Sequence, residues 1–267
     1  MNTYEITYQQ LKERFEKSGQ DVQGFLAPLI ALSDDSSSLI VGYGSDQTSI
    51  REDLIPYFHL VGRRIEGQEP LRALAVGSWV GTEPASSLAV ARLVAALETR
   101  LSLAHDMEVT AYPVLNIEAY REGAFLTGKQ QLEGVHVWQD SKCSHVVVIE
   151  RELQRYAYDL ILNFRVNPHS ADLTVEGWAE SEVRGQIFSD PLARFAEVSP
   201  AFHWELNPKK GSFSRIFTPL PGRFEQPVEV AVGLPGMLSA DEQAAAGLRI
   251  ALSLLHQFRQ ARMEGML

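Results

Sequence analysis

The stretch from residue 71 to residue 100 constrains the fold of this chain more than any other. It reads LRALAVGSWVGTEPASSLAVARLVAALETR. Residues 71–78 are a short apolar run that ends just before a glycine-containing turn, which is the pattern of a buried strand. Pro84 suits the first turn of a helix, because its missing N–H costs nothing there, and the apolar residues after it predict a helix to about Arg100. A strand that leads into a helix through a polar turn is where open α/β sheets place their binding sites.

The turn between this strand and this helix carries the first motif. Residues 80–84 read VGTEP, which resembles the sequence His-Gly-x-Glu-Pro of the zinc carboxypeptidase family, including its succinylglutamate desuccinylase and aspartoacylase relatives. In that family the His and the Glu are two of three zinc ligands. The resemblance implies that Glu83 keeps one ligand position and that Val80, which has no lone pair, has lost the other.

The third zinc ligand of the family follows a central strand, in a pattern similar to Asp-Leu-x-x-Asp-Leu-His. Residues 159–165, DLILNFR, match this pattern with Asn163 at the second Asp and Arg165 at the His. A guanidinium has no acceptor and cannot be deprotonated in a protein, so it would repel a divalent cation. A rival register aligns residues 166–170, VNPHS, and would keep His169 as the ligand, but Pro168 would then interrupt the strand.

Two further motifs of the family are altered in this chain. The catalytic carboxylate belongs to a pattern like Thr-x-Glu-x-Pro on the last strand, and Gly233 takes its place in VAVGLP, residues 230–235. A family motif that holds the substrate carboxylate, Gly-Val-Asp-Leu-Asn-Arg, corresponds to GVHVWQ, residues 134–139, in which the Asn and the Arg are missing. A Tyr-Pro-x-x-Asn motif is kept in YPVLN, residues 112–116.

The resemblance covers residues 71–172 and 227–255, about half of the chain, and implies both a fold and a function. The fold is a single-domain, three-layer α/β/α structure over residues 1–267, with a central mixed and mostly parallel sheet. The function is that of a pseudoenzyme without zinc or general base, which binds a peptide C-terminus or a small carboxylate in the former cleft. The candidate ligand-binding residues are Arg165, Asn116, His136, Gln139 and Asn163. We also expect Arg165 to replace the metal as the partner of Glu83, because an isolated buried carboxylate is costly.

Two other functions stay open at this point. The chain could be an active zinc-dependent carboxypeptidase or amidohydrolase with a rearranged metal site, in which Glu83 and His169 are joined by other side chains. The further candidates for such a site are His136, His203, Glu176 and Glu205. The chain could also be a structural or interaction domain whose cleft is filled by Trp79 and Trp138.

Composition narrows the class of partner. A net charge of −10 and a pI near 5.2 argue against nucleic acid, which needs a basic binding face. The single cysteine, Cys143, excludes an intramolecular disulfide and a cysteine-rich zinc site. The sequence has no apolar run long enough to span a membrane, and its charged N-terminal residues are unlike a signal peptide. We therefore expect a cytoplasmic protein without a membrane partner, and the sequence does not indicate an oligomeric state.

The remaining patterns predict the elements around the motifs. Helices are expected at residues 4–17, at 144–157, and from a capping box at 239–242 to about residue 262. Strands are expected at residues 25–32, 38–43, 108–115, 159–166 and 227–234. Residues 167–227, with mixed polar and aromatic residues and several prolines, predict short strands and loops that cover one end of the sheet.

Overall fold

The computed structural model describes residues 3–18, 21–44, 54–79, 83–100, 102–122, 144–198, 201–207 and 226–267. Its helices are α1 (Thr3–Ser18), α2 (Val22–Asp34), α3 (Pro84–Thr99), α4 (Ile117–Glu122), α5 (Ser144–Arg155), α6 (Glu182–Val198) and α7 (Ala240–Met263). Its strands are β1 (Leu39–Gly44), β2 (Ile55–Val61), β3 (Leu71–Val76), β4 (Met107–Tyr112), β5 (Leu160–Asn167), β6 (Leu173–Trp178), β7 (Phe202–Asn207) and β8 (Val228–Pro235). The described helices do not include one that is long and apolar enough to cross a membrane.

The strands form one mixed sheet in the order β1-β2-β4-β3-β5-β8-β6-β7. The four central strands, β4, β3, β5 and β8, are parallel to one another. On one side β2 runs antiparallel to β4 and β1 antiparallel to β2, and on the other β6 runs antiparallel to β8 with β7 parallel to β6. The predicted mixed, mostly parallel sheet is therefore confirmed, with β5 near its centre, where a strand is buried on both faces and reads as an apolar run.

Helices cover both faces of the sheet, as the three-layer prediction requires. On one face α3 packs against α7, and both contact β5. Residues 85–97 of α3 are all buried, because α1 and α2 pack over this helix from outside. On the other face α5 contacts β4, where the Tyr112 hydroxyl donates a hydrogen bond to Glu152. That all residues from 1 to 267 form a single domain stays a prediction.

Most of the predicted elements are confirmed, and three regions differ. Residues 25–32 were predicted as a strand, which is wrong: they lie inside α2. The run FLAPLIAL is short and apolar, and such runs do not distinguish a strand from a buried helix. Strand β2 was not predicted. Residues 167–227 contain strands as expected, but β6 and β7 extend the sheet instead of covering its end, and the 17-residue helix α6 was not predicted.

Candidate functional site

The turn after β3 is shaped by its close approach to the start of α3. A Cβ atom on Gly77 would lie 2.7 Å from the carbonyl oxygen of Pro113 and 2.8 Å from that of Ser86, so only glycine fits. Ser78 follows with a φ of 48°, a left-handed conformation that is strained for a residue with a side chain. Its N–H donates to Ser86 Oγ (2.8 Å), and that hydroxyl donates to the carbonyl of Glu83 (2.7 Å). These bonds fix the backbone of Glu83 directly before α3.

The carboxyl group of Glu83 is buried, with 4% of the residue exposed. Its Oε1 accepts a hydrogen bond from the N–H of Val166 on β5 at 3.2 Å, whereas its buried Oε2 has no hydrogen-bond partner among the described residues. Burial raises the pKa of Glu83 to about 7, against the smaller lowering effects of the Val166 N–H and the Arg165 charge. At neutral pH a substantial fraction of this group is therefore protonated, and its buried Oε2 is not used by the described residues.

Arg165 lies on β5, half-buried, and its guanidinium is oriented by Asn163 two residues earlier on the same face of the strand. The amide oxygen of Asn163, turned toward the guanidinium, accepts hydrogen bonds from Arg165 Nη2 at 3.0 Å and Nε at 3.2 Å. The expected direct ion pair between Arg165 and Glu83 is wrong, since no such pair within 4.0 Å occurs among the described residues. The carboxylate binds the Val166 N–H instead, and Arg165 acts on it only through its charge.

The position that the motifs assign to the family's catalytic carboxylate, Gly233, has no room for a side chain. Gly233 on β8 is the register partner of Arg165 on β5. A Cβ atom on Gly233 would lie 2.2 Å from Thr174 Oγ1 and 2.5 Å from Asn167 Nδ2. These two side chains are hydrogen-bonded to each other at 2.9 Å, so they fill the space that a side chain at position 233 would need.

The other candidate residues do not extend this site within the described structure. Val80, His136 and Gln139 lie outside the described residues, as does Trp138. His169 is exposed in the turn after β5, which ends at Asn167. Asn116 is buried, and its side-chain oxygen accepts the N–H of Ala119 at 3.1 Å, which caps the start of α4. Its predicted role in ligand binding stays a prediction.

The described residues around Glu83 do not fit a bound zinc ion. A zinc site needs three neutral or anionic protein ligands, whereas Glu83 has a permanent cation, Arg165, as its electrostatic neighbour. Across the described residues, no three His, Cys, Asp or Glu side chains are grouped so that they could hold a metal ion. The described members of the rearranged site therefore do not assemble: His203, for example, is exposed and lies 3.3 Å from Asp172.

Trp79, proposed to fill the cleft, is fully buried beside the start of α5. Its ring meets that of His145 edge to face, with 6.4 Å between the centroids. Burial lowers the pKa of His145 to about 4, so this ring is neutral at pH 7. The pair therefore forms an uncharged wall next to the turn that carries Glu83.

Another buried carboxyl group, that of Glu152 on α5, was not foreseen from the sequence. Glu152 accepts hydrogen bonds from the hydroxyl of Tyr112, at 3.2 Å, and from that of Tyr158. The Tyr158 hydroxyl also lies 3.0 Å from Thr110 Oγ1, which in turn lies 3.1 Å from His59 Nδ1. One feature of the sequence does indicate that Glu152 is buried: it falls three residues after Ile149, on the buried side of the helix.

The resemblance read from the motifs is confirmed as a likeness of fold. The structure is similar to that of a metallo-carboxypeptidase from Burkholderia cenocepacia, with a TM-score of 0.70 and 14% identity over 89% of this chain and 69% of that chain. A succinylglutamate desuccinylase/aspartoacylase from Rhodobacter sphaeroides gives a TM-score of 0.58 at 16% identity, over 84% of this chain and 66% of that one. The ectoine utilization protein EutE (DoeB) from Ruegeria pomeroyi gives 0.53 at 17% identity, over 84% and 68%.

At these identities the similarity establishes the fold alone. The chemistry therefore has to be argued from the residues of this chain. No protein-family model matches the sequence, and no curated protein matches it either.

Proposed function

We propose that this chain, which has the fold of the metallo-carboxypeptidases, binds a small carboxylate or a peptide C-terminus in the former catalytic cleft and does not hydrolyse it. The observation that carries this proposal is an oriented guanidinium whose charge acts on a buried carboxyl group, one oxygen of which has no partner among the described residues. Asn163 holds Arg165 from one side, and Glu83 Oε2 is left without a partner among the described residues.

These two groups are suited to a carboxylate ligand for separate reasons. A guanidinium presents its donors as a planar fork, which matches the two oxygens of a carboxylate. Glu83, whose pKa burial raises to about 7, can donate a hydrogen bond through Oε2 when it is protonated. A ligand carboxylate would thus meet a cation on one side and a neutral donor on the other.

The same site lacks the groups that peptide hydrolysis by this fold would use. The general base is replaced by Gly233, and the space for a side chain there is occupied by Thr174 and Asn167. With valine at position 80 and arginine at position 165, Glu83 lacks the two histidines that the family pattern places beside it. Binding without turnover is the function that these substitutions favour. A cytoplasmic location stays a prediction.

Calorimetric titration with N-acetylalanine, and with N-acetylalanine amide as the uncharged analogue, tests this proposal. We expect the acid to bind and the amide not to bind, with higher affinity at pH 6 than at pH 8, because protonated Glu83 donates to the ligand. Replacing Arg165 by Gln should weaken binding roughly tenfold or more, as expected for the loss of a charge-assisted bond.

The matched control is Arg249→Gln, which removes an exposed arginine from α7 and should leave the affinity unchanged. Equal binding of the acid by the Arg165→Gln variant would contradict the proposal. Stoichiometric zinc binding that depends on Glu83, with cleavage of acylated amino acids, would show instead that the chain is a hydrolase.

A further inference from the structure

Strand β1 forms one edge of the sheet, and its residues are unlike those that usually protect such an edge. It stands at one end of the strand order and pairs with β2 alone among the described strands. Its six residues, LIVGYG, include neither a charged residue nor a proline, which are the residues that keep edge strands from pairing with another chain. At the other end of the order, β7 carries the exposed Glu205. The outer side of β1 is therefore a candidate interaction surface.

The register of β1 with β2 determines which backbone groups of β1 point outward. The carbonyl of Ser38 accepts a hydrogen bond from the N–H of Val61, directly opposite, at 2.8 Å. Bonded and non-bonded positions alternate along an antiparallel ladder, so the N–H and C=O groups of Val41 and Tyr43 point away from β2. Pro56, which has no N–H to donate, lies opposite Tyr43, as this alternation requires. The strand thus presents donors and acceptors to a further strand.

The side chains at this edge are apolar and project from both faces. Ile40 is 58% exposed and Tyr43 is 47% exposed, and they lie on opposite faces because side chains alternate along a strand. Gly42 shares the face of Ile40 and is covered by the Tyr57 ring, since a Cβ atom on Gly42 would lie 2.3 Å from Cζ of Tyr57. The other face carries Leu39, which is buried. Each face therefore combines one projecting apolar side chain with a lower apolar surface beside it.

We infer that this protein forms a symmetric dimer through antiparallel pairing of β1 with the β1 strand of a second copy. The outward-facing residues of the strand are Leu39, Val41 and Tyr43, so the two-fold axis passes at the middle one, Val41. The two Val41 residues then exchange both of their hydrogen bonds. The N–H of Tyr43 donates to the carbonyl of Leu39 in the second copy, where the N–H of Leu39 is already bonded to Ser36 Oγ at 2.9 Å.

This register brings complementary surfaces together on both faces of the joined sheet. Ile40 lies opposite Gly42 of the second copy, at a closely spaced non-hydrogen-bonded pair, and packs on the Tyr57 ring there. On the other face, Tyr43 lies opposite Leu39. Aromatic and aliphatic pairs across neighbouring strands stabilise a sheet. The projecting side chain of each copy is therefore covered by the lower surface of the other, as a two-fold interface requires.

The charge of the protein bears on the strength of this dimer. Each copy carries a net charge of −10, so two copies repel each other at long range. Pairing through an uncharged strand keeps charges of the same sign out of the contact itself. Salt screens the remaining repulsion, and a pair of strand edges is small for a protein interface. We therefore expect a dimer in equilibrium with monomer, which salt strengthens.

Sedimentation velocity of the full chain at rising protein concentration tests the inference. We expect a concentration-dependent mixture of monomer and dimer, with more dimer at higher salt. Ile40→Lys places a charge on the edge and should raise the Kd of the dimer roughly tenfold or more, because the symmetric interface contains the substitution twice. The control is Ile6→Lys, the same change at an exposed residue of α1, which should sediment like the wild type. Circular dichroism of both variants confirms that they fold.

Disulfide formation reads the register of the two strands. The Cα atoms of a hydrogen-bonded antiparallel pair lie about 5.5 Å apart, a distance that a disulfide spans. In a Cys143→Ser background, Val41→Cys should therefore form a covalent dimer on oxidation. Tyr43→Cys should not, because its counterpart in the second copy lies several residues away along the ladder, beyond the reach of a disulfide.

Three results would overturn the inference. The first is a wild-type protein that stays monomeric at every concentration and salt. The second is an Ile40→Lys variant that dimerises as readily as Ile6→Lys, and the third is a Val41→Cys variant that does not cross-link faster than Tyr43→Cys. Since β1 contains neither Glu83 nor Arg165, failure here leaves the proposed function untouched.

Discussion

Glu83 and Glu152, two of the buried glutamates of this protein, differ in how the structure satisfies their oxygens. Glu152 has a tyrosine hydroxyl donating to each of its oxygens. Glu83 has one peptide N–H on Oε1 and no partner among the described residues on Oε2. Burial raises the pKa of both groups. The difference shows that burial alone does not distinguish a structural carboxyl group from a candidate site: unlike Glu152, Glu83 has a buried oxygen without a hydrogen-bond partner among the described residues.

The largest expected effect is the pH dependence of stability that Glu83 creates. Its pKa is about 7 in the folded protein, against an ordinary value of 4.5 for a glutamate, so the folded state holds a proton that the unfolded state releases between these values. The stabilisation is complete below about pH 4.5 and is lost as the pH rises through 7, a change of roughly 3 kcal/mol.

Urea unfolding of the wild type and of Glu83→Gln, from pH 4.5 to pH 8.5, measures this effect. The free energy of unfolding of the wild type should fall relative to that of the variant as the pH rises, because glutamine does not titrate. Parallel curves for the two proteins would mean that Glu83 is not a buried titrating group, and its distinction from Glu152 would be lost.

The next prediction compares the same Glu→Gln substitution at the two carboxyl groups, because it should lower the free energy of unfolding at position 152 but not at position 83. Glu152→Gln replaces one of two acceptors by an amide nitrogen and removes the charge that the tyrosine hydroxyls solvate. It should lower the free energy of unfolding at pH 8 by about 2 kcal/mol. Glu83→Gln should not lower it at the same pH, because the amide oxygen still accepts the Val166 N–H and a costly buried charge is gone. Equal losses in both variants would contradict the comparison.

A smaller effect tests whether the space beside Gly233 is closed. Gly233→Ala puts a methyl group 2.2 Å from Thr174 Oγ1, and overpacking of this kind should cost about 1 kcal/mol in urea unfolding. The cost should shrink in an Asn167→Ala/Thr174→Ala background, which removes both contacts. The matched control is Gly185→Ala in α6, where a Cβ meets only the end of Leu206. No cost at position 233 would mean that the position can accept a side chain.

The sequence predicts the elements whose signals are local. The β3–turn–α3 unit follows from an apolar run and Pro84. The start of α7 follows from the capping box, in which Ser239 Oγ accepts the Glu242 N–H at 3.3 Å and Glu242 accepts the Ser239 N–H at 3.0 Å. Helix α2 was predicted as a strand because a short apolar run has no distinguishing period, and α6 contains Pro191, which argues against a helix at the level of sequence.

The sequence predicts less of the candidate site, because its contacts are long-range. The positions of the motifs predict that Glu83, Arg165 and Gly233 lie near one another. The register of β5 with β8 pairs Arg165 with Gly233. The motifs do not indicate which residue each of these three contacts in the folded protein. The Val166 N–H reaches Glu83, Asn163 holds Arg165, and Thr174 closes on Gly233 only because of strand pairing and side-chain direction in the folded sheet. The ion pair expected from charge alone was therefore wrong.

The smallest expected effect concerns the influence of Arg165 on Glu83. Its charge is the least of the causes that set the pKa of Glu83, after burial and the Val166 N–H. Arg165→Gln should therefore raise this pKa only slightly above about 7, which moves the loss of stability to higher pH without changing its size much. Carbon-13 NMR of the Glu83 carboxyl group during a pH titration measures the shift, with Arg249→Gln as the control. A lower or unchanged pKa in Arg165→Gln would show that the guanidinium does not act on this carboxyl group, and Glu83 would then be an isolated buried acid rather than half of a carboxylate-binding pair.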